Sequence, residues 1–134
     1  MPNSGSPISF DVTAEHLNGL ARLQARGELD LSTTPLLERA FAAVEELQPA
    51  TIVLDFQHLA FIDSTGLHAL LLAHKRATDS GRLLVVINGT EGIRKVFELT
   101  GTKHLLAPSL PADLVGALSL EGWSPIEIPG TSAS

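Results

Sequence analysis

The spacing of hydrophobic positions along the chain changes several times, and each change marks an element. Ile8 to Thr13 is short and extended in character, an expected edge strand. Asn18-Gly19 is a tight-turn pair. From Leu20 to Arg26 the alternation is strict: Ala21, Leu23 and Ala25 fall on one face, Arg22, Gln24 and Arg26 on the other. These runs predict a hairpin. After Gly27-Glu28-Leu29-Asp30 the period becomes helical. Ser32, Thr33 and Thr34 offer N-cap hydroxyls, and Pro35 suits the first turn, where its missing N–H costs nothing. Leu36, Leu37, Ala40, Phe41, Val44 and Leu47 then recur at helical spacing, and Pro49 lies just beyond the end.

Thr51 to Phe56 reads T-I-V-L-D-F, a near-continuous apolar run of the kind expected of a strand covered on both faces. A second helix follows Phe61-Ile62-Asp63, with Leu67, Leu70, Leu71 and His74 on its inner positions, Lys75 and Arg76 near its end, and Gly81 as a stop. Leu83 to Ile87 predicts another buried strand, and Asn88-Gly89 a turn. Ile93, Val96 and Phe97 mark a third helix closed by Gly101. Lys103 to Ala107 is expected as a short strand. Pro111 to Leu120 is expected as a last helix, with Leu114, Ala117 and Leu118 inward. The order implies an α/β sandwich: a mixed, mainly parallel sheet with four or so helices. One domain is expected over 8–120. The Ser/Gly/Pro-rich segment 1–7 is expected to be flexible, and the tail 121–134 partly disordered.

Composition narrows the possible functions. The 134 residues suit a single core. There is no cysteine, which removes disulfides, thiolate metal sites and a cysteine nucleophile. Nine basic against fifteen acidic residues give a net charge of −6, which argues against binding to a phosphate backbone. No apolar run approaches the roughly 18 residues of a membrane helix, and Met1 to Pro7 lacks the pattern of a secretory signal. A cytoplasmic protein with neither nucleic acid nor membrane as partner is expected.

The densest chemical signal is Phe61-Ile62-Asp63-Ser64-Thr65-Gly66-Leu67, which leaves a strand and opens a helix. Ligands and partners meet open α/β sheets at the carboxyl ends of strands, where helix N-termini present unpaired N–H groups. Asp63, Ser64 and Thr65 all suit a helix cap, and that alone would account for them. The sharper reading makes Ser64 a phosphorylation switch. A phosphate there would be tolerated at the positive end of the helix while repelling a partner packed beside Asp63.

Together, Gly27-Glu28-Leu29-Asp30 and Phe61 to Leu67, with Gly89 to Gly101 (G-T-E-G-I-R-K-V-F-E-L-T-G), resemble the STAS domain of bacterial anti-sigma factor antagonists. The resemblance spans Ile8 to Leu120. It implies a partner-switching protein with no enzymatic activity of its own. The serine after the Asp of D-S-[ST]-G, here Ser64, would be phosphorylated by an anti-sigma factor that is itself a serine kinase. The unphosphorylated form would bind that kinase and free a sigma factor, and a serine phosphatase would reset the switch. No cofactor is implied for this chain, since ATP and Mg²⁺ would belong to the kinase. Asp30 would contribute to docking, and Asp63, Ser64, Thr65, Gly66 and His68 complete the implied partner-binding surface. His68 departs from the family, which often carries Gly there, so partner specificity could differ. The resemblance favours a monomer.

Other constellations are weaker. Ser64 has no G-x-S-x-G elbow, and no His and Asp pair can be assigned to it as a hydrolase triad. His58, His68 and His74 form no H-E-x-x-H pattern and are expected at the surface or its boundary. Gly89-Thr90-Glu91-Gly92 lacks a P-loop lysine. Asp55 and Asp63 make a poor catalytic pair, because Asp55 lies in or near a strand. Trp123 either packs the last segment down or adds a partner contact. The alternative function is a small-ligand or nucleotide-binding sensor module of the same fold, since fold alone does not fix activity.

Overall fold

The structure is a computed structural model that describes residues 10–107 and 112–130. Strands β1 (Phe10–Leu17) and β2 (Leu20–Leu29) form the hairpin. Asn18 (φ 51°) and Gly19 (φ 80°) turn it, both with positive φ as a type I′ turn requires. Next come helix α1 (Thr34–Glu45), β3 (Thr51–Ile62), α2 (Ser64–Asp79), β4 (Leu83–Ile87) and α3 (Glu91–Leu99). A 3₁₀ turn (Lys103–Leu105), helix α4 (Ala112–Leu118) and a short strand β5 (Ser124–Ile126) complete the order. Residues 8 and 9 of the expected first strand, Pro111 of the expected last helix, the segment 1–7 and residues 131–134 lie outside the described residues.

The strands are ordered β4-β3-β2-β1-β5. β2, β3 and β4 run parallel, while β1 pairs antiparallel with β2 and with β5. The sheet is mixed, and β5 brings antiparallel pairing level with parallel. That strand arises within the segment 121–134.

The alternating residues sort onto two faces of unequal size. Val12, Leu23, Ala25, Ile52, Leu54, Leu84 and Val86 join Leu37, Phe41, Leu70, Ile93 and Phe97 from α1, α2 and α3 in the main core. On the other face, among the described residues, only Leu20, Val53 and Ile87 are buried, with Leu114, Ala117, Leu118 and Trp123 packed over them. A fully buried side chain of this size contributes roughly 1.5–3 kcal/mol, so the three-helix face dominates stability. Trp123 packs the last segment down: Arg22 stacks over its ring at 4.3 Å, and its Nε1 donates to the Leu120 carbonyl at 2.9 Å. Arg22 also pairs with Glu15 at 2.7 Å.

Two expectations need correction. β3 runs to Ile62 rather than Phe56, because its register against β2 shifts twice, between Gln24/Arg26 and between Gly27/Glu28. Each shift inserts an extra residue on β3, so inward positions fall at Phe56, Leu59 and Ile62, three apart, and period-two alternation disappears. The Asp55 carboxylate accepts from the Gln57 N–H at 2.9 Å at the first irregularity. Lys103 to Ala107 is not a strand. Thr102 and Lys103 carbonyls accept from the Leu105 and Leu106 N–H groups, winding a tight turn that buries Leu105. Only Leu106 bridges to Val86. Among the described residues, no helix is long and apolar enough to cross a membrane.

Candidate functional site

The irregular end of β3 projects past the edge of β4 and stays paired with the end of β2, Glu28 opposite Phe61 and Leu29 opposite Ile62. The chain leaves both strands side by side. The Asp63 N–H donates to the Leu29 carbonyl at 3.0 Å, which ties the start of α2 to the loop that carries Asp30.

Asp63 is the N-cap of α2. Its backbone is extended (φ −108°), and its carboxylate accepts from the Gly66 N–H at 3.0 Å. That bond satisfies one of the donors every helix start leaves unpaired. Ser64 follows as the first helical residue. It is exposed, and its hydroxyl takes part in no hydrogen bond among the described residues. Thr65 is half-buried. His68 is exposed one turn further along α2, at the i+4 position from Ser64 and so on the same helix face.

Gly66, expected on the docking surface, is instead buried. A Cβ there would lie 2.7 Å from Leu29 Cγ, 2.9 Å from Leu29 Cδ2 and 3.2 Å from Ile62 Cγ1. Its part is to let α2 settle onto the strand ends and so fix where Ser64 emerges.

Asp30 organises the neighbouring loop. Its Oδ1 accepts from the Ser32 hydroxyl at 2.8 Å, the Ser32 N–H at 3.0 Å and the Thr33 N–H at 3.1 Å. The Ser32 hydroxyl bond comes first among the causes that hold the Asp30 carboxyl below its ordinary value. The Thr33 bonds add to it and desolvation opposes it. The expected hydroxyl cap on α1 does not form. Thr33 is the N-cap residue but makes no side-chain cap bond. Its hydroxyl donates to the Glu28 carbonyl at 2.8 Å and accepts from the Asp30 N–H at 2.9 Å, while the Asp30 carbonyl receives the Thr33 and Thr34 N–H groups. The loop takes the hydroxyl that the helix would have used.

Two exposed apolar residues outside the expected partner-binding set flank this junction. Leu31 is 73% exposed and Phe61 47%. Burying two such side chains against a partner would supply apolar contact beside the charged groups. Phe61 was readable once Ile62 was placed inward, since its neighbour then faces out. Leu31 was readable as a large apolar residue stranded in a polar turn.

The other candidates do not converge. Asp55 is engaged by the Gln57 N–H and by Asn88 Nδ2 at 3.1 Å, away from the cap formed by Asp63. His58 and His68 are exposed, and His74 meets the ring of His104 edge-on with centroids 5.7 Å apart. No group of three or more metal-ligating side chains occurs among the described residues.

A family model described as the STAS domain matches residues 11–113. The anti-sigma-F factor antagonist RsfB of Mycobacterium tuberculosis is 33% identical over 107 residues, covering 74% of this chain and 88% of that protein. The anti-sigma-B factor antagonist of Staphylococcus aureus is 29% identical over 80 residues, covering 60% of this chain and 74% of that protein. The crystal structure of an anti-sigma factor antagonist from Mycobacterium paratuberculosis superposes with a TM-score of 0.70 at 28% identity, covering 84% of this chain and 96% of that one.

Proposed function

The chain belongs to the STAS-domain family of anti-sigma factor antagonists, and on that premise we propose that it is a phosphorylation-controlled antagonist of an anti-sigma factor. Unmodified, it binds an anti-sigma factor that is also a serine kinase, and so frees a sigma factor. That kinase uses its own ATP and Mg²⁺ to phosphorylate Ser64, the complex separates, and a serine phosphatase restores the binding form. The chain acts by binding as a monomer and turns over no substrate.

The observation that carries this reading is the state of Ser64: exposed, with an uncommitted hydroxyl, at the first position of α2 and beside the Asp30 loop. A phosphate there sits where the helix favours negative charge, so the fold tolerates it. Its added charge, close to two units at neutral pH, lands next to Asp63 and the exposed Leu31 and Phe61. A partner packed on that surface would have to desolvate a phosphate against apolar and acidic groups. Binding is lost while the domain stays folded.

The test is incubation of the protein with its cognate anti-sigma factor and ATP, followed by mass analysis of intact chain and peptides. One phosphate on Ser64 is expected, and none on Ser64→Ala. Undiminished incorporation into Ser64→Ala would refute the assignment.

A further inference from the structure

The carboxyl end of β4 opens into a cavity of about 600 Å³, within the size range of small-ligand sites. It shares no residue with the Ser64 junction. Arg94 of α3 and Lys103 and His104 of the 3₁₀ turn line it, and Val86, Leu106 and Ala107 supply its apolar lining. Asn88 and Gly89, from the turn into α3, complete the wall.

Concentrating positive charge here is unusual for a chain with only nine Lys and Arg and a net charge of −6. Arg22, Lys75 and Arg76 are each held in an ion pair. Arg94 and Lys103 are exposed and, like Arg26, Arg39, Arg82 and Lys95, are in no ion pair among the described residues, although Glu91 and Glu98 stand three and four residues from Arg94 on the same helix. The nearby Asp55 carboxylate is already engaged by Asn88 and Gln57.

We propose that this cavity binds a small organic phosphate. Arg94 and Lys103 take the dianionic head, with His104 as a further donor, because guanidinium and ammonium groups form their strongest hydrogen bonds with such oxygens. The compact apolar body of the ligand lies against Val86, Leu106 and Ala107. The site is placed where open α/β sheets hold ligands, outside the carboxyl end of a strand. Through His104 it also touches His74 of α2, the helix that displays Ser64. The proposal stands independently of the partner-switching reading and needs no kinase to test.

Phenyl phosphate is the probe, titrated into the full chain and followed by amide chemical shifts, with inorganic phosphate and phenol alongside. Saturable shifts are expected at Asn88, Gly89 and Lys103 to Ala107 with phenyl phosphate. Inorganic phosphate should bind about tenfold more weakly, and phenol should not bind, because head and body both contribute. Arg94→Gln and Lys103→Gln should each weaken phenyl phosphate about tenfold, as loss of one charge-assisted hydrogen bond does, with thermal midpoints unchanged. Absence of saturation by about 10 mM, weaker than any specific site of this size would give, overturns the proposal. So does an affinity unchanged in the Arg94→Gln/Lys103→Gln double variant.

Discussion

Two strand-to-helix junctions leave the sheet side by side, after β2 and after β3, and each begins with an aspartate followed closely by hydroxyl residues. They use those hydroxyls in opposite ways. After β2, Asp30 and Thr33 knot the loop: the Ser32 hydroxyl donates to Asp30, and the Thr33 hydroxyl joins the Glu28 carbonyl to the Asp30 N–H. After β3, Asp63 caps α2 through the Gly66 N–H and leaves Ser64 out of the network. A hydroxyl that holds a loop together cannot be esterified without loosening it. A free one at a helix start can. Of the two junctions, the first is a wall tied up in its own hydrogen bonds, and the second leaves a hydroxyl exposed where the proposed switch would be phosphorylated.

The largest effect on stability is expected where the junctions touch. Gly66→Ala would push a methyl group to 2.7 Å from Leu29 Cγ, and Leu29 is fully buried with no room to yield. Overpacking of this kind outweighs the better helix propensity of alanine, for a net loss of about 1–2 kcal/mol in urea unfolding. A variant as stable as the parent would show that the tight contact does not set the position of α2.

The contrast between the hydroxyls is sharpened by a pair of variants. Thr33→Ala removes two hydrogen bonds and should cost about 1 kcal/mol, whereas Ser64→Ala should stay within about 0.5 kcal/mol of the parent. Equal losses in the same unfolding assay would break the distinction between wall and switch.

The smallest effect is electrostatic. The Asp30 carboxyl titrates below its ordinary value, 3.8, in the folded chain. A lowered folded value means the unfolded chain binds the proton more readily. The stabilising contribution is therefore present above the unfolded value and fades as pH falls through the folded one. Asp30→Asn should flatten that part of the stability curve below about pH 4 and leave the slope near neutrality unaltered. An unchanged acid limb would mean that the loop bonds do not discriminate between carboxylate and acid.

Much of this was legible in the residues. The hairpin followed from Asn18-Gly19 and the Leu20–Arg26 alternation. The positions of α1, α2 and α3 followed from helical spacing, and the Ser64 junction from a polar cluster between strand and helix. What escaped was decided by neighbours in space. The far half of β3 was hidden because two bulges replaced alternation with a spacing of three. The role of Thr33 was misassigned because Glu28 and Asp30 compete with the helix for its hydroxyl. Gly66 read as part of a surface motif, yet the depth of Leu29 beneath it depends on how β2 and β3 pair. Strand β5 has three residues, Ser124-Pro125-Ile126, too few to carry a pattern without β1 beside them.

The central claim is that charge added at Ser64 removes a partner without unfolding the domain. Its most direct test is a calorimetric titration of the cognate anti-sigma factor with unmodified protein and with protein stoichiometrically phosphorylated at Ser64, alongside thermal melts of both forms. The account predicts at least a tenfold loss of affinity, about 1.4 kcal/mol, with melting temperatures that agree closely. Equal affinities, or a loss of affinity accompanied by a collapse in melting temperature, would contradict it.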